Sequence, residues 1–146
     1  MTKIKSIWID NFKSLVDFKL EFTAFNCLVG LNGSGKSTVL HALDFLSQLM
    51  RGNLDEWLKV RHWAKDDISS KLTRKSNIEF KVVIESGPLG EIIWSGSLNR
   101  SKLRCTQEEI TIRGTCFLRV EEGYLFLTGL FKYNELPKSY KVVWDY

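Results

Sequence analysis

The sequence GLNGSGKST at residues 30–38 constrains this chain more than any other stretch. It matches the pattern Gly-x-x-x-x-Gly-Lys-Ser/Thr, with Gly30, Gly35, Lys36 and Ser37 in the fixed positions. Glycines permit the positive φ angles that let backbone amides curl around phosphate oxygens, and a helix that begins at the lysine adds its unpaired N-terminal amides. The segment therefore predicts a phosphate-binding loop (P-loop) between a strand and a helix.

The side chains of the loop are those expected to hold a nucleoside triphosphate with magnesium. Lys36 is placed to reach the β- and γ-phosphates, the Ser37 hydroxyl to ligate Mg²⁺, and Thr38 to contact the α-phosphate side. The cofactor-binding residues that the motif predicts are Gly30, Gly33, Gly35, Lys36, Ser37 and Thr38.

The residues around the loop predict the elements that the motif requires. FNCLVG, residues 25–30, is short and nearly all apolar, which is typical of a strand buried on both faces of a partly parallel sheet. After the loop, apolar residues at helical spacing predict an amphipathic helix that ends at Gly52. Its predicted apolar stripe is Val39, Leu43, Leu46 and Met50, opposite Ser37, His41, Asp44, Gln48 and Arg51.

The remaining segments are predicted from their periodicity. Residues 3–10 and 18–22 predict two strands around a turn, and Asn53 with Glu56 predicts a capped second helix. Residues 61–76 predict a basic surface loop with some helix. From Asn77 onward, alternating apolar residues and glycine turns predict antiparallel hairpins. We therefore divide the chain into residues 1–52, 53–76 and 77–146, as parts of one domain.

Composition adds weaker expectations about the setting of the chain. The formal net charge of +4 is compatible with a nucleic-acid partner but does not require one. Three irregularly spaced cysteines favour neither a disulfide framework nor a zinc site, and no apolar run suggests a signal peptide or a membrane span. We expect a cytoplasmic protein without a membrane partner.

The stretch that surrounds the loop resembles the opening of the SMC/RecF-type branch of the ABC ATPases. Its sequence is IWIDNFKSLVDFKLEFTAFNCLVGLNGSGKSTVLHAL. The resemblance rests on Asn11, Phe12, Lys13 and Ser14, followed by Asn32 and Gly33 before the lysine of the loop. It implies an α/β fold with α+β content: a P-loop NTPase whose ABC-type N-terminal lobe has a strand–P-loop–helix core and an antiparallel β-subdomain. Within the branch, the chain looks most like prokaryotic antiphage-defence ATPases of the Septu and overcoming-lysogenisation kinds.

The resemblance also implies ligands and partners. ATP and Mg²⁺ would be the cofactors, and Lys13 and Ser14 would lie near the adenine or ribose. Residues 32–38, which add Asn32 and Ser34 to the cofactor-binding residues, would wrap the phosphates and magnesium. A solvated lysine between two strands is an equal alternative for Lys13. The complete ATPase would dimerise around two nucleotides and act on DNA or with a partner nuclease.

No catalytic residue is identified in the sequence. The water-activating pair of such ATPases, an Asp followed by Glu after four apolar residues, has its nearest match at Asp145, where Tyr146 replaces the Glu. The serine-glycine signature motif of such ATPases has only a weak match in this sequence, at FLSQLM. Neither Gln48 nor Gln107 is assigned as the glutamine that senses the γ-phosphate. We therefore expect an N-terminal lobe that is inactive alone and needs a missing C-terminal lobe or a second subunit. An expression fragment, a truncated gene and one half of a split ATPase remain open.

Other interpretations of the sequence also remain open. A nucleotide sensor or assembly module that binds ATP without hydrolysing it would carry the same loop, and so would a small-molecule kinase, although the hairpins after Asn77 argue against the kinase. A basic strip around Trp57 and Trp63 could contact nucleic-acid phosphates, but a solvated loop beside two buried tryptophans is the favoured interpretation. The strip comprises Lys59, Arg61, His62, Lys65, Lys71, Arg74 and Lys75.

Overall fold

The computed structural model describes residues 1–121, 124–127 and 138–141 of the chain. Within these residues, eight strands form one sheet in the order β2-β1-β3-β4-β5-β6-β7-β8, and every neighbouring pair is antiparallel. The strands are β1 (Thr2–Asp10), β2 (Phe18–Glu21), β3 (Asn77–Ser86), β4 (Gly90–Asn99), β5 (Arg104–Ile112), β6 (Thr115–Glu121), β7 (Tyr124–Leu127) and β8 (Lys138–Lys141).

The predicted hairpins after Asn77 are confirmed over these strands. In β3 the side chains of Ile78, Phe80 and Val82 are buried while Glu79 and Lys81 are exposed, as the alternation requires. Short connections of three or four residues join β3 to β4 and β4 to β5, and two residues join β5 to β6. The predicted turn at Gly114 joins β5 to β6, and the positive φ of 78° explains the glycine.

Two α-helices and a 3-10 helix lie between β2 and β3: α1 (Lys36–Arg51), α2 (Leu54–Val60) and the 3-10 helix Lys65–Ile68. Helix α1 ends where predicted, at Gly52, whose φ is 70° and whose N–H bonds to the Leu49 carbonyl. Its buried residues are Val39, Ala42, Phe45 and Leu46.

The predicted apolar stripe of α1 is wrong at its end, because Met50 is 60% exposed. Leu46 and Leu49 of the last turns face the core, whereas Met50 points away from it. Helix α2 forms as predicted, but Asn53 makes no side-chain capping hydrogen bond, so the expected capping pair is not formed. The predicted loop after α2 includes the 3-10 helix, and its Ile68 is fully buried.

A single hydrophobic cluster joins the helices to one face of the sheet. It contains side chains from β1, β3, β4, α1 and α2, together with Phe12 and Ile68 from the connecting segments. The Phe45 ring of α1 lies 5.0 Å from Phe12 and 6.1 Å from Trp57, measured between centroids. The middle of α1 is therefore packed against the turn after β1 and against α2.

The strand predicted over residues 25–30 is not formed, and this corrects the sequence analysis. The segment has no regular structure, and Phe25 and Val29 are 83% and 88% exposed. A strand needs a neighbour that accepts and donates backbone hydrogen bonds. Both edges of β1 are taken by β2 and β3, and no strand in the described ranges lies beside residues 25–30. The apolar pattern is present, but its burial requires a neighbour from elsewhere.

Across the described residues, the structure contains no helix both long and apolar enough to cross a membrane.

Candidate functional site

The phosphate loop has the backbone geometry that its glycines predict. Gly33 and Gly35 have φ angles of 82° and 92°, and Gly35 is the residue directly before α1. A Cβ atom on Gly30 would lie 2.6 Å from the Ser34 hydroxyl, so the close approach of these two residues requires glycine. The chain therefore curls tightly and enters α1 with its first amide groups unpaired by the helix.

The Lys36 ammonium lies against this curl. Its Nζ donates to the carbonyl oxygens of Gly30 and Leu31, at 2.6 and 2.7 Å, and to the Ser34 hydroxyl at 3.3 Å. The positive charge is thus held at the N-terminus of α1, where the helix dipole also favours an anion. Phosphate oxygens bound there would compete with the two carbonyls for the same ammonium protons.

The turn after β1 is packed beside the loop. The Ser14 hydroxyl donates to the Thr38 hydroxyl at 3.2 Å, and a Cβ atom on Gly35 would lie 3.4 Å from the Ser14 oxygen. The structure therefore brings Ser14 together with the loop residues listed from the sequence. Ser37 is exposed on the first turn of α1, and Asn32 is exposed in the loop. The ligand roles of these residues stay predictions.

Asn11 fixes this turn in place, a role that the sequence did not reveal. It is fully buried and has a φ of 63°. Its side-chain amide donates to the carbonyls of Lys75 and Asn77, both at 2.8 Å, and accepts from the Thr73 hydroxyl at 2.6 Å. These bonds tie the end of β1 to the segment that leads into β3.

The side chain of Lys13 lies on an aromatic ring instead of in solvent. Its Nζ is 3.4 Å from the centroid of the Trp63 ring, and the Lys13 backbone N–H donates to the Ile68 carbonyl. Trp63 also meets His41 edge-on, with centroids 5.0 Å apart. His41 follows Thr38 by three residues on α1, so both lie on the same side of the helix. Lys13 is thus half-buried against Trp63, and its place near the adenine or ribose stays a prediction.

The charges around this cluster shift two pKa values. Burial lowers the pKa of Lys13, and the positive charge of Arg61 lowers it further, while Asp67 acts in the opposite direction. Burial also lowers the pKa of His41, helped by Arg61 and Lys13 and opposed by Asp44. His41 is therefore harder to protonate than a histidine in water.

Asp44 connects α1 to the end of α2. It forms an ion pair with Arg61 and accepts the Trp57 indole N–H at 2.8 Å. Burial alone would raise the pKa of Asp44, but the hydrogen bonds from Trp57 and Arg61 outweigh it and hold the pKa below its usual value. Asp44 was expected on the solvated face of α1 and instead holds Arg61 near the tryptophans.

The other sequence candidates lie elsewhere. Gln48 donates to Asp44 at 3.4 Å, and Gln107 lies on β5 opposite Ser97 and Glu121, so neither is near the loop. Asp145 falls outside the described residues. Where the structure can be described, no group of three His, Cys, Asp or Glu side chains is arranged to hold a metal ion.

The basic strip is only partly available to a ligand. Arg61 pairs with Asp44, Lys75 pairs with Asp10, and Lys65 donates to the Ser101 carbonyl at 3.2 Å. Trp57 is buried, as the favoured interpretation expected, but Trp63 is only half-buried.

Comparisons with known proteins show the family of the chain and its fold. The family model described as the AAA ATPase domain matches residues 2–138. Structural maintenance of chromosomes protein 1B of Homo sapiens is 30% identical over 94 residues, which make up 60% of this chain and 7% of that protein. The solved structure of the recombination mediator protein RecF with ATP, in the RecFOR pathway, is 21% identical with a TM-score of 0.50. That match covers 79% of this chain and 27% of the RecF chain.

Proposed function

This chain belongs to the AAA ATPase domain family and has the fold of an SMC/RecF-type ABC N-terminal lobe, and from that premise we propose that it binds ATP with Mg²⁺ at residues 30–38. The observation that carries the proposal is the Lys36 ammonium, held at the N-terminus of α1 by a loop whose glycines have φ angles of 82° and 92°. Lys36 would contact the β- and γ-phosphates, Ser37 would ligate Mg²⁺, and Thr38 and Ser14 would lie on the α-phosphate and ribose side.

The test is equilibrium binding of ATP with and without Mg²⁺. Lys36→Ala is expected to abolish binding, and Ser37→Ala to remove its dependence on Mg²⁺. Lys59→Ala is the matched control, because Lys59 is an exposed lysine on α2. If Lys36→Ala binds ATP as well as the control does, the proposed site is wrong.

We also propose that ATP hydrolysis requires a partner, either a C-terminal ATPase lobe or a second subunit, in a complete form that is a homodimer. Exposed apolar residues 25–31 support this proposal, because no strand among the described residues lies beside Phe25, Val29 and Leu31. A parallel strand from the partner would bury them. Hydrogen exchange at residues 25–30 should be fast in this chain and slow when the partner is present. Steady ATP turnover by this chain alone would contradict the proposal.

The biological role that we propose is coupling of the ATP cycle to DNA or to a nuclease partner in the cytoplasm, in antiphage defence of the Septu or overcoming-lysogenisation type. The exposed side chains of Lys71 and Arg74 support a nucleic-acid contact. DNA binding should weaken as salt rises, and Lys71→Ala with Arg74→Ala should weaken it further. Salt-independent binding, or no change in the double variant, would contradict the DNA contact.

A nucleotide sensor or assembly module that does not hydrolyse ATP is the second candidate, and the exposed residues 25–31 fit an assembly surface as well. Turnover measured with the partner present separates the two candidates. Binding without turnover in the assembled form would favour the sensor. The division of the ATPase head into residues 1–52, 53–76 and 77–146 is part of the same proposal.

A further inference from the structure

Trp63 is a half-buried tryptophan that contacts both charged and aromatic groups. The Lys13 ammonium is 3.4 Å from its ring centroid, and the Arg61 guanidinium carbon is 5.0 Å from it. The rings of His41 and Trp57 meet it nearly at right angles, at 5.0 and 5.4 Å. Its ring therefore lies among groups from the turn after β1, α1 and α2.

We propose that Trp63 is a positioning residue, which holds the Lys13 ammonium beside Thr38 so that Lys13 serves as a second cation for the bound nucleotide. This inference rests on the proposed ATP site. It adds to that site a residue 27 positions beyond Lys36 in sequence, counted from the two residue numbers.

Lys13 needs such a contact to stay near the loop. It sits on a backbone with a φ of 49°, and its long side chain would otherwise sample many rotamers in water. The positive charge of Arg61 repels it, whereas the ring face of Trp63 attracts it and Asp67 adds a favourable charge. The indole therefore selects one position of the ammonium.

That position is next to the nucleotide site. Ser14, the residue after Lys13, donates to the Thr38 hydroxyl at 3.2 Å. Trp63 touches His41, which lies on the same side of α1 as Thr38. Two independent contacts thus place Lys13 and Trp63 beside the first two turns of α1. A cation there adds to the positive end of the helix.

The experiment is a double-mutant cycle on ATP affinity in the whole chain, using Trp63→Leu, Lys13→Met and the pair. Trp63→Leu and Lys13→Met should each weaken ATP binding between about twofold and about thirtyfold, the range that a cation–π contact supports. The double variant should bind no more weakly than Lys13→Met alone. Trp63→Tyr, which keeps an aromatic face, should bind within about twofold of the original protein.

Trp8→Leu is the matched control, because Trp8 is also half-buried but bonds to Asp17 through its indole N–H at 2.8 Å. It should leave the ATP affinity unchanged even if it lowers the melting temperature. If Trp63→Leu weakens binding as much without Lys13 as with it, Trp63 has only a structural role and the inference fails. In that case, loss of ATP binding in Lys36→Ala would still support the proposed ATP site, so the two proposals are tested separately.

If Trp63→Leu does not fold, tryptophan fluorescence tests the same inference on variants that keep an aromatic ring at this position. ATP should change the tryptophan emission of the original protein more than that of Trp63→Tyr, because Lys13 shifts on the ring when phosphates bind. The difference should vanish in Lys13→Met. Equal changes in the original protein and in Trp63→Tyr would overturn the inference.

Discussion

Exchanging single glycines for alanine separates backbone strain from loss of the phosphate site. Gly33 in the loop and Gly52 after α1 have φ angles of 82° and 70°, and a Cβ atom on either would meet nothing within 4 Å. Gly33→Ala and Gly52→Ala thus impose the same kind of strain without any clash. An L-residue in this region costs about 1 to 2 kcal/mol. For a chain of this size, that is a fall of about 3 to 6 °C in melting temperature.

Only Gly33→Ala should also affect ATP. If the alanine moves one loop amide off its phosphate oxygen, the lost charge-assisted hydrogen bond weakens binding by about tenfold to a hundredfold. Gly52→Ala should bind ATP normally. The assays are thermal unfolding and ATP titration on the same samples. Equal loss of affinity in both variants would show that strain, not loop geometry, controls binding, and our reasoning would be refuted.

Three further predictions concern other parts of the structure. Asn11→Ala should lower the free energy of unfolding by about 3 kcal/mol, measured in urea, because it leaves buried carbonyls without donors. The pKa of Asp44 is depressed in the folded protein, so its ion pair with Arg61 stabilises the fold above about pH 4 and is lost as the pH falls further. Asp44→Asn should lower the free energy of unfolding by about 1 to 2 kcal/mol at pH 7 and weaken this acid dependence in unfolding curves. Burial and the charge of Glu108 raise the pKa of the Cys105 thiol to about 12. A thiol reagent at pH 8 should therefore modify the exposed Cys27 and react with Cys105 only after unfolding, and mass spectrometry of labelled peptides can check this.

Local patterns predicted the elements whose burial depends on nearby residues. The end of α1 at Gly52 and the alternation of β3 follow from spacing and from one glycine. The segment 25–30 has an equally clear apolar pattern but stays exposed, because a strand is made by its neighbours. Periodicity reports what a segment can bury and not what lies beside it.

The candidate site was predictable to the same extent. The loop is contiguous in sequence, so its residues and their geometry could be named in advance. The contact between Lys13 and Trp63 joins residues 50 positions apart, counted from their numbers, and depends on the left-handed backbone of Lys13. Nothing in the sequence near Trp63 signals that contact. It arises from how α2 and the segment after it return toward the turn after β1.

The pairing of β1 with β3 also sets an order of assembly. It joins Thr2 to Ser86 and Asp10 to Glu79, whereas β3 to β6 connect through short turns. Because closing a long loop costs more chain entropy than forming a hairpin, the hairpins should form first and β1 should dock late. The phosphate loop and both helices lie inside the loop that this docking closes. We therefore expect the phosphate loop to be positioned only once β1 has docked, and ATP in the refolding buffer should draw that docking toward completion.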